Sequence, residues 1–399
     1  MIGATGNMNA AMNPASALGA HHPLVLGTVQ SSIGYVILFL VCLLIVVYGL
    51  ASLRSGKHAA GSEVYLAPNR KPYYDNQTME TSRLDRTLVI SFVVLAAISL
   101  ALPLYWLAEP GRMAGATKEF NSKFIHTGAE LYGSNTPDNP DGLGCADCHG
   151  ATATGGVASY TITDADGRFL KQVQWQAPAL DTATLRFNRS ELREIITYGR
   201  PFSPMAGWGE AGGGSENSQS IADIISYLES IQISPKAAHK QVTEGLETEK
   251  KAAEAAGQPY SSDGEALFNL GYYSGVAGGA YSCGRCHTQG WSYGEKGPDG
   301  DGAYGPNLTA TTAQFPGATA GFDAMVDFVC QGSLMGIQYG VHGMGAGRMP
   351  AFCQTKPYNP NTDALASQPD VETQDQGSPG SGMMTRAQVA QIVEYVRGL

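Results

Sequence analysis

The sequence predicts a mostly α chain, with two N-terminal transmembrane helices followed by two tandem domains of one kind. Three observations predict this. Two long runs near the N-terminus carry no charge, a C-x-x-C-H pattern occurs twice, and the segments around each copy recur in one order. At 399 residues the chain has room for two or three domains. Its net charge of −10 and the absence of basic patches speak against a nucleic-acid partner.

A tail over residues 1–30 holds no Lys or Arg, and the first apolar run, 31–53, follows it. A polar loop over 54–86 separates it from the second run, 87–108. Each run is long enough to cross a hydrocarbon core of about 30 Å as a helix. Two such runs in succession fit buried core helices poorly. A cleaved signal peptide fits poorly too, because the tail lacks a basic n-region and the first run starts late. The loop carries Arg54, Lys57, Arg70, Lys71, Arg83 and Arg86. The positive-inside rule puts it in the cytoplasm, and both termini outside. Tyr105 and Trp106 then fall at the outer end of the second span, where interfacial aromatics belong. Cys42 reads as a small apolar residue of the first span.

Residues 144–150 read GCADCHG and residues 282–287 read SCGRCH. Chance does not produce this pattern twice from seven cysteines and eight histidines. Zinc needs a second ligand pair nearby, and neither copy has one in register. A redox dithiol belongs at a strand-to-helix junction of a βαβ unit, and the surroundings are not of that kind. Covalent attachment of haem is the reading that remains. It makes Cys145, Cys148, Cys283 and Cys286 thioether donors, with His149 and His287 as iron ligands. Bacteria attach haem covalently outside the cytoplasm, which agrees with the topology. Cys330 and Cys353 are left over, and a disulfide between them is expected in an oxidising compartment. The alternative is two unrelated buried thiols.

The companions of each motif repeat. A helical pattern precedes each, at Phe120–Gly133 and at Ser261–Tyr273, where Ser262 or Asp263 is placed to cap. APAL with Pro178 follows the first motif, and GPNL with Pro306 follows the second. Helix-like segments come next, at Arg189–Gly199 and Gly321–Gly332. Each is followed by a Met beside a Pro, Met205 in SPMAG and Met349 in RMPAF. Amphipathic patterns at Ser220–Ile231 and Thr385–Leu399 close each set. The shared order defines two like domains, 118–232 and 260–399. Residues 233–259 are rich in Ala, Glu and Lys and read as a semi-rigid helical spacer.

This order resembles class I cytochrome c domains over most of the extracytoplasmic part, so the fold class becomes two transmembrane helices followed by two tandem class I cytochrome c domains. The resemblance implies two covalently attached haem c groups. It pairs His149 with Met205 and His287 with Met349 as axial ligands, with Pro178 and Pro306 orienting the histidines. Met205 is the only Met between residues 114 and 324 and has no rival. Met349 has rivals in Met325, Met335, Met344, Met383 and Met384, of which loop residue Met344 is the serious one; His342 is a further candidate. His126 and His239 read as solvated side chains. Departures from the family pattern are an insertion between His149 and Pro178 that reads as a short hairpin over the haem, and a long polar stretch at 354–382.

The arrangement is similar to the dihaem subunit of cbb-type haem–copper oxidases, and to dihaem c subunits of actinobacterial-type bcc complexes. Either resemblance implies single-electron transfer between a quinol-oxidising complex and a haem–copper oxidase. Cytochrome b and Rieske subunits or an oxidase core would be the partners, with a soluble redox protein as a further one, in a bacterial plasma membrane. The anchor position favours the oxidase type, whereas the 54–86 loop does not match it. The basic loop takes more positive than negative charge with it, so the rest of the chain is more acidic than the whole. This favours docking on a basic surface, or simply solubility. The alternative of another class is a dihaem peroxidase-like enzyme, which needs an iron position open to peroxide; a structural anchor would leave two complete motifs unexplained.

Overall fold

The computed structural model describes residues 24–55, 82–200, 203–334, 336–341, 348–356 and 380–399. It is mostly helical, 55% helix against 8% strand. Two compact units make up the chain, Met1–Glu119 and Phe120–Leu399.

The first unit contains α1 (Leu24–Ser55) and the start of α2 (Ser82–Tyr132). A side chain at Gly34 would collide with Leu107 and Trp106, while Tyr48 stacks on Phe92 at 5.8 Å. The two contacts make the helices antiparallel, with Gly34 leaving room for the Leu107 and Trp106 side chains. Phe39, Leu44, Leu95 and Leu102 are all exposed. Helices apolar on every side need an apolar surrounding, and both are long and apolar enough to cross a membrane. The expected second span, 87–108, and the expected helix from Phe120 are one continuous element, which passes through Pro103 and Pro110. Good helix formers such as Met113, Ala114, Lys118 and Glu119 carry it past the Pro-Gly pair, which reads as a break in the sequence.

The second unit starts within α2 and continues with α3 (Cys145–His149), β1 (Gly156–Thr163), β2 (Phe169–Ala177), α4 (Ala183–Arg186), α5 (Arg189–Tyr198) and α6 (Ser218–Ser230). Then come α7 (Pro235–Ala255), α8 (Asp263–Phe268), α9 (Gly284–His287), α10 (Thr311–Gln314), α11 (Ala320–Gln331) and α12 (Arg386–Val396). Two hydrophobic cores form. One gathers Tyr132, Phe187, Leu192, Ile196, Ile221 and Ile225. The other gathers Leu267, Phe268, Met325, Val329, Ile392 and Val393.

The same joint closes both cores. A Cβ at Gly128 would collide with the backbone of Asp223 and with Tyr227, and a Cβ at Gly264 would collide with the backbone of Gln391 and with Tyr395. One turn after each glycine an aromatic ring meets that same tyrosine: Tyr132 on Tyr227 at 5.1 Å, and Phe268 on Tyr395 at 5.7 Å. The first and last helices of each region therefore cross at a glycine, because only a bare Cα admits the facing carbonyl. Both closing helices are capped by a side chain, α6 by Asn217 and α12 by Thr385. Asn188 and Glu191 form a capping box on α5, Thr385 and Gln388 form one on α12, and Ser262 caps α8 as expected.

The insertion after the first motif is an antiparallel hairpin, β1 paired with β2, as its alternation predicts. Asp164 Oδ1 accepts from the backbone N–H of Asp166 and Arg168 to form its turn. Trp175 lies 5.4 Å from Tyr293, Lys171 pairs with Glu295, and Gln176 donates to Gly271 O at 3.1 Å. The hairpin thus leans on the second region.

Residues 233–259 are largely helical, as their composition predicts, but one face of the helix is buried rather than free. Ala238, Val242, Gly245, Glu249 and Ala253 line a buried face of α7, with Ala238 and Val242 in the second core. Glu249 is fully buried and accepts from the N–H groups of Gly271, Tyr273 and Ser274 and from the hydroxyls of Ser274 and Tyr260. An exposed-looking Ala/Glu/Lys composition thus conceals one carboxylate that organises the loop after α8.

Candidate functional site

Each C-x-x-C-H motif winds into one short helical stretch. Gly144 takes the left-handed conformation, φ 76°, and α3 starts at Cys145. Cys145 and Cys148 are then a turn apart on one face, with His149 next to the second. In the second copy Cys283 occupies the N-cap of α9, Cys286 lies one turn on, and His287 ends the helix. The four thiols are free. Burial pushes the Cys145 thiol up to about 11 and the Cys283 thiol up to about 12, and raises that of Cys148.

The two histidines share one hydrogen bond. His149 Nδ1 lies 2.8 Å from Pro178 O, and His287 Nδ1 lies 2.8 Å from Pro306 O. A carbonyl only accepts, so Nδ1 carries the proton and Nε2 keeps its lone pair for a ligand bond. Burial pushes His149 down to about 4, with the positive charges of Arg285 and Arg186 adding to it and the Pro178 bond opposing. Burial lowers His287 likewise. Both imidazoles are therefore neutral at pH 7. Gly305, just before Pro306, lies against the His287 ring; a Cβ there would meet Cε1 and Nδ1 at 2.8 Å.

The methionines are held by one construction used twice. Helix α5 ends at Gly199 and α11 at Gly332, each with φ 72°. Arg200 N donates to Met205 O at 2.9 Å, and Ser333 N donates to Met349 O at 3.2 Å. A Cβ on either glycine would run into that same methionine carbonyl. Ser203 Oγ accepts from Met205 N and Ser333 Oγ from Met349 N. Met205 packs on the first core and Met349 on the second. Among the rivals, Met325, Met383 and Met384 are buried in the second core. Met335, Met344 and His342 lie outside the described residues, as do 357–379 of the polar stretch.

Cys330 and Cys353 are bridged, with Cα atoms 4.5 Å apart, and the loop they close contains Met349. Cys330 O also accepts from the N–H of Phe352, Cys353 and Gln354. His126 is exposed on α2 beside Glu130, as expected. His239 is not a solvated side chain: α7 turns its Nε2 inward, where it is buried without a partner among the described residues.

The seam between the two regions is polar and basic. Ala179 N donates to Ala277 O at 2.9 Å and Ala351 N to Arg186 O at 3.1 Å. Lys356 is fully buried, and its Nζ lies 2.8 Å from Glu191, the residue that also closes the α5 capping box. Arg186 and Arg200 come from the first region, Arg285 from inside the second motif. Burial pushes Arg186 down to about 10 and lowers Arg200 and Lys356. Sequence patterns do not show this cluster, because its members lie far apart along the chain. The crossing glycines were visible as GAELY (128–132) and GEALF (264–268).

No protein-family model matches the chain, and no curated protein or solved structure shows detectable similarity to it. Among the described residues, no three His, Cys, Asp or Glu side chains gather as a multidentate metal site. Each region instead offers two thiols on one helical turn, one neutral imidazole with Nε2 available, and one thioether on a glycine-terminated loop.

Proposed function

We propose that the chain is a membrane-anchored dihaem cytochrome c, built of two tandem class I cytochrome c domains, that passes single electrons within a respiratory complex. The path runs between a quinol-oxidising complex and a haem–copper oxidase, with this chain a subunit of one of them or of their supercomplex. The observation that carries the reading is the duplicated histidine geometry. Both motif imidazoles are neutral, and both have Nδ1 committed to the carbonyl of a proline in the matching segment. The donor set fits haem c: Cys145 and Cys148, or Cys283 and Cys286, would supply the thioether bonds, and His149 with Met205, or His287 with Met349, would ligate the iron. So held, the group would supply one-electron exchange rather than chemistry on a bound substrate. The protein's own part is to keep the imidazoles neutral and oriented, and to hold the methionines on short, glycine-terminated loops.

The six basic residues at 54–86 support a topology with that loop in the cytoplasm and both haem domains on the outer side of a bacterial plasma membrane. The test is to purify the full chain from membranes in mild detergent, measure its haem by pyridine haemochrome, and identify its companions by mass spectrometry. Two haems c per chain are expected, together with cytochrome b and Rieske subunits or an oxidase core. A chain without covalent haem would overturn the reading. Peroxide turnover by the purified complex would move it to the peroxidase class.

A further inference from the structure

We propose that the outer edge of β1 pairs with the same edge of a second copy, so that two chains join their hairpins into one four-stranded antiparallel sheet. The inference does not rest on the dihaem reading. The hairpin is a two-stranded sheet, so each strand has one edge to spare. β2 is the strand that meets the second region: Arg285 donates to Gln176 O, and Trp175 lies against Tyr293. Among the described residues, no hydrogen bond joins the backbone of β1 to anything but β2. A Cβ on Gly156 would collide with Cys148 O, so the motif helix covers the start of the strand. Val157–Thr163 is the open stretch, with Val157, Ser159, Tyr160, Thr161 and Thr163 exposed. Edge strands are commonly guarded by a charge, a proline or a bulge. This stretch has neither charge nor proline. The one register shift, after Ile162, places its extra residue, Leu170, in β2, so β1 itself runs on without interruption.

The residues of β1 say what fits the edge. Opposite residues of an antiparallel pair share a face, so a two-fold axis between identical strands must pass through a residue. Placed at Tyr160, the axis sets Ser159 against Thr161, Val157 against Thr163 and Ala158 against Ile162, each pair made twice. Hydroxyl then meets hydroxyl, a small side chain meets a large one, and Tyr160 meets Tyr160 of the second copy. Ser159 Oγ already accepts from Gln174 Nε2 at 2.9 Å, so its own proton is left to donate across the axis. Charge agrees. Arg168 pairs with Asp164 and Asp166 within the turn, beyond the paired stretch. A neutral edge does not repel a copy of itself, and it offers no counter-charge to a charged segment of another protein. A strand edge alone buries less than the roughly 1,200 Å² of a stable soluble complex. It therefore depends on high local concentration, which α1 and α2 give to copies held in one membrane.

The test is sedimentation velocity of the full chain in mild detergent over a concentration series. One variant combines Ser159→Lys with Thr161→Lys, and a second combines Ser159→Glu with Thr161→Glu. Each sets like charges opposite one another across the axis. Gln172→Lys with Gln174→Lys is the control: both side chains are exposed on the same face of β2, one strand further from the axis. Wild type and control are expected to show a monomer–dimer equilibrium, with the dissociation constant of the Lys and Glu variants raised about tenfold or more. Mixed in equal amounts, those two variants should recover wild-type association, because each Lys then faces a Glu. The recovery also shows that neither had lost its fold, which far-UV circular dichroism checks directly. A wild type that stays monomeric at the highest concentration reached would overturn the proposal. A dimer that both charged variants keep would overturn it too, since the contact then lies elsewhere, as would loss without recovery in the mixture. Wild type that sediments with another protein, and is released from it by the Lys variant, would give the edge to that partner and end the self-pairing.

Discussion

The two regions use one list of parts and enclose them differently. In the first, Cys145, Cys148 and His149 are half-buried, Ala146 fills the motif, and the Met205 loop has no covalent restraint. In the second, Cys283 and His287 are buried at 7% and 8% exposure, Gly284 makes room for Trp291, and the Cys330–Cys353 bridge closes the Met349 loop. A Cβ on Gly284 would meet Trp291 Cδ1 at 2.8 Å, so the second motif tolerates no alanine at that place. The lesson is that the ligand set is duplicated while its packing is not. On the dihaem proposal, a more buried centre disfavours the more charged, oxidised iron, so the second site should be the higher-potential one.

Axial ligands give the strongest lever on that comparison. Met205→His should lower the first potential by a sizeable part of the ~0.8 V span that axial ligands command, and Met349→His should do the same to the second. Redox titration decides, and a potential that stayed put would show that the replaced methionine is not a ligand. Next comes the tie between regions. Lys356→Met removes the ammonium 2.8 Å from the buried Glu191 and should cost about 3 kcal/mol or more. Calorimetry should then resolve two transitions where the wild type shows one. Replacing Cys330 and Cys353 by Ser should cost about 3 kcal/mol and affect the second region alone, seen as earlier loss of the Met349 ligand band on heating. Gly264→Ala and Gly128→Ala should each cost roughly 1–3 kcal/mol through overpacking at the helix crossing, each in its own region.

Acid separates the regions in another way. The His149 value falls from 6.5 to about 4 on folding, so its neutral form contributes stability that is present above pH 6.5 and lost as pH falls through about 4. An acid titration of the first haem's absorption band should lie at or below that range, since an iron bond lowers it further.

Much of this was legible in the sequence, for stated reasons. The two C-x-x-C-H motifs, Pro178, Pro306, Met205 and Met349 stand out because the same residue types recur in one order in both copies. The hairpin showed as alternation, and the bridge as two cysteines without other employment. The helix of 233–259 was legible, but its buried face was not, because burial of Glu249 depends on N–H groups at 271–274, which no local pattern announces. The cluster of Arg186, Arg200, Arg285 and Lys356 escaped for the same reason: it exists only where distant segments meet. His239 looked like any surface histidine until α7 turned it inward.

The hairpin that leans across the seam also bears on synthesis. Ribosomes deliver the first region before its neighbour, at about 5–20 residues per second. Trp175 and Lys171 must therefore wait until Tyr293 and Glu295 emerge, and Arg186 O until Ala351 does. For some seconds after its own core can close, the N-terminal half presents an aromatic strand to whatever is nearby. A chain ended at residue 232 would keep that strand uncovered permanently, a template for sticking to a second copy.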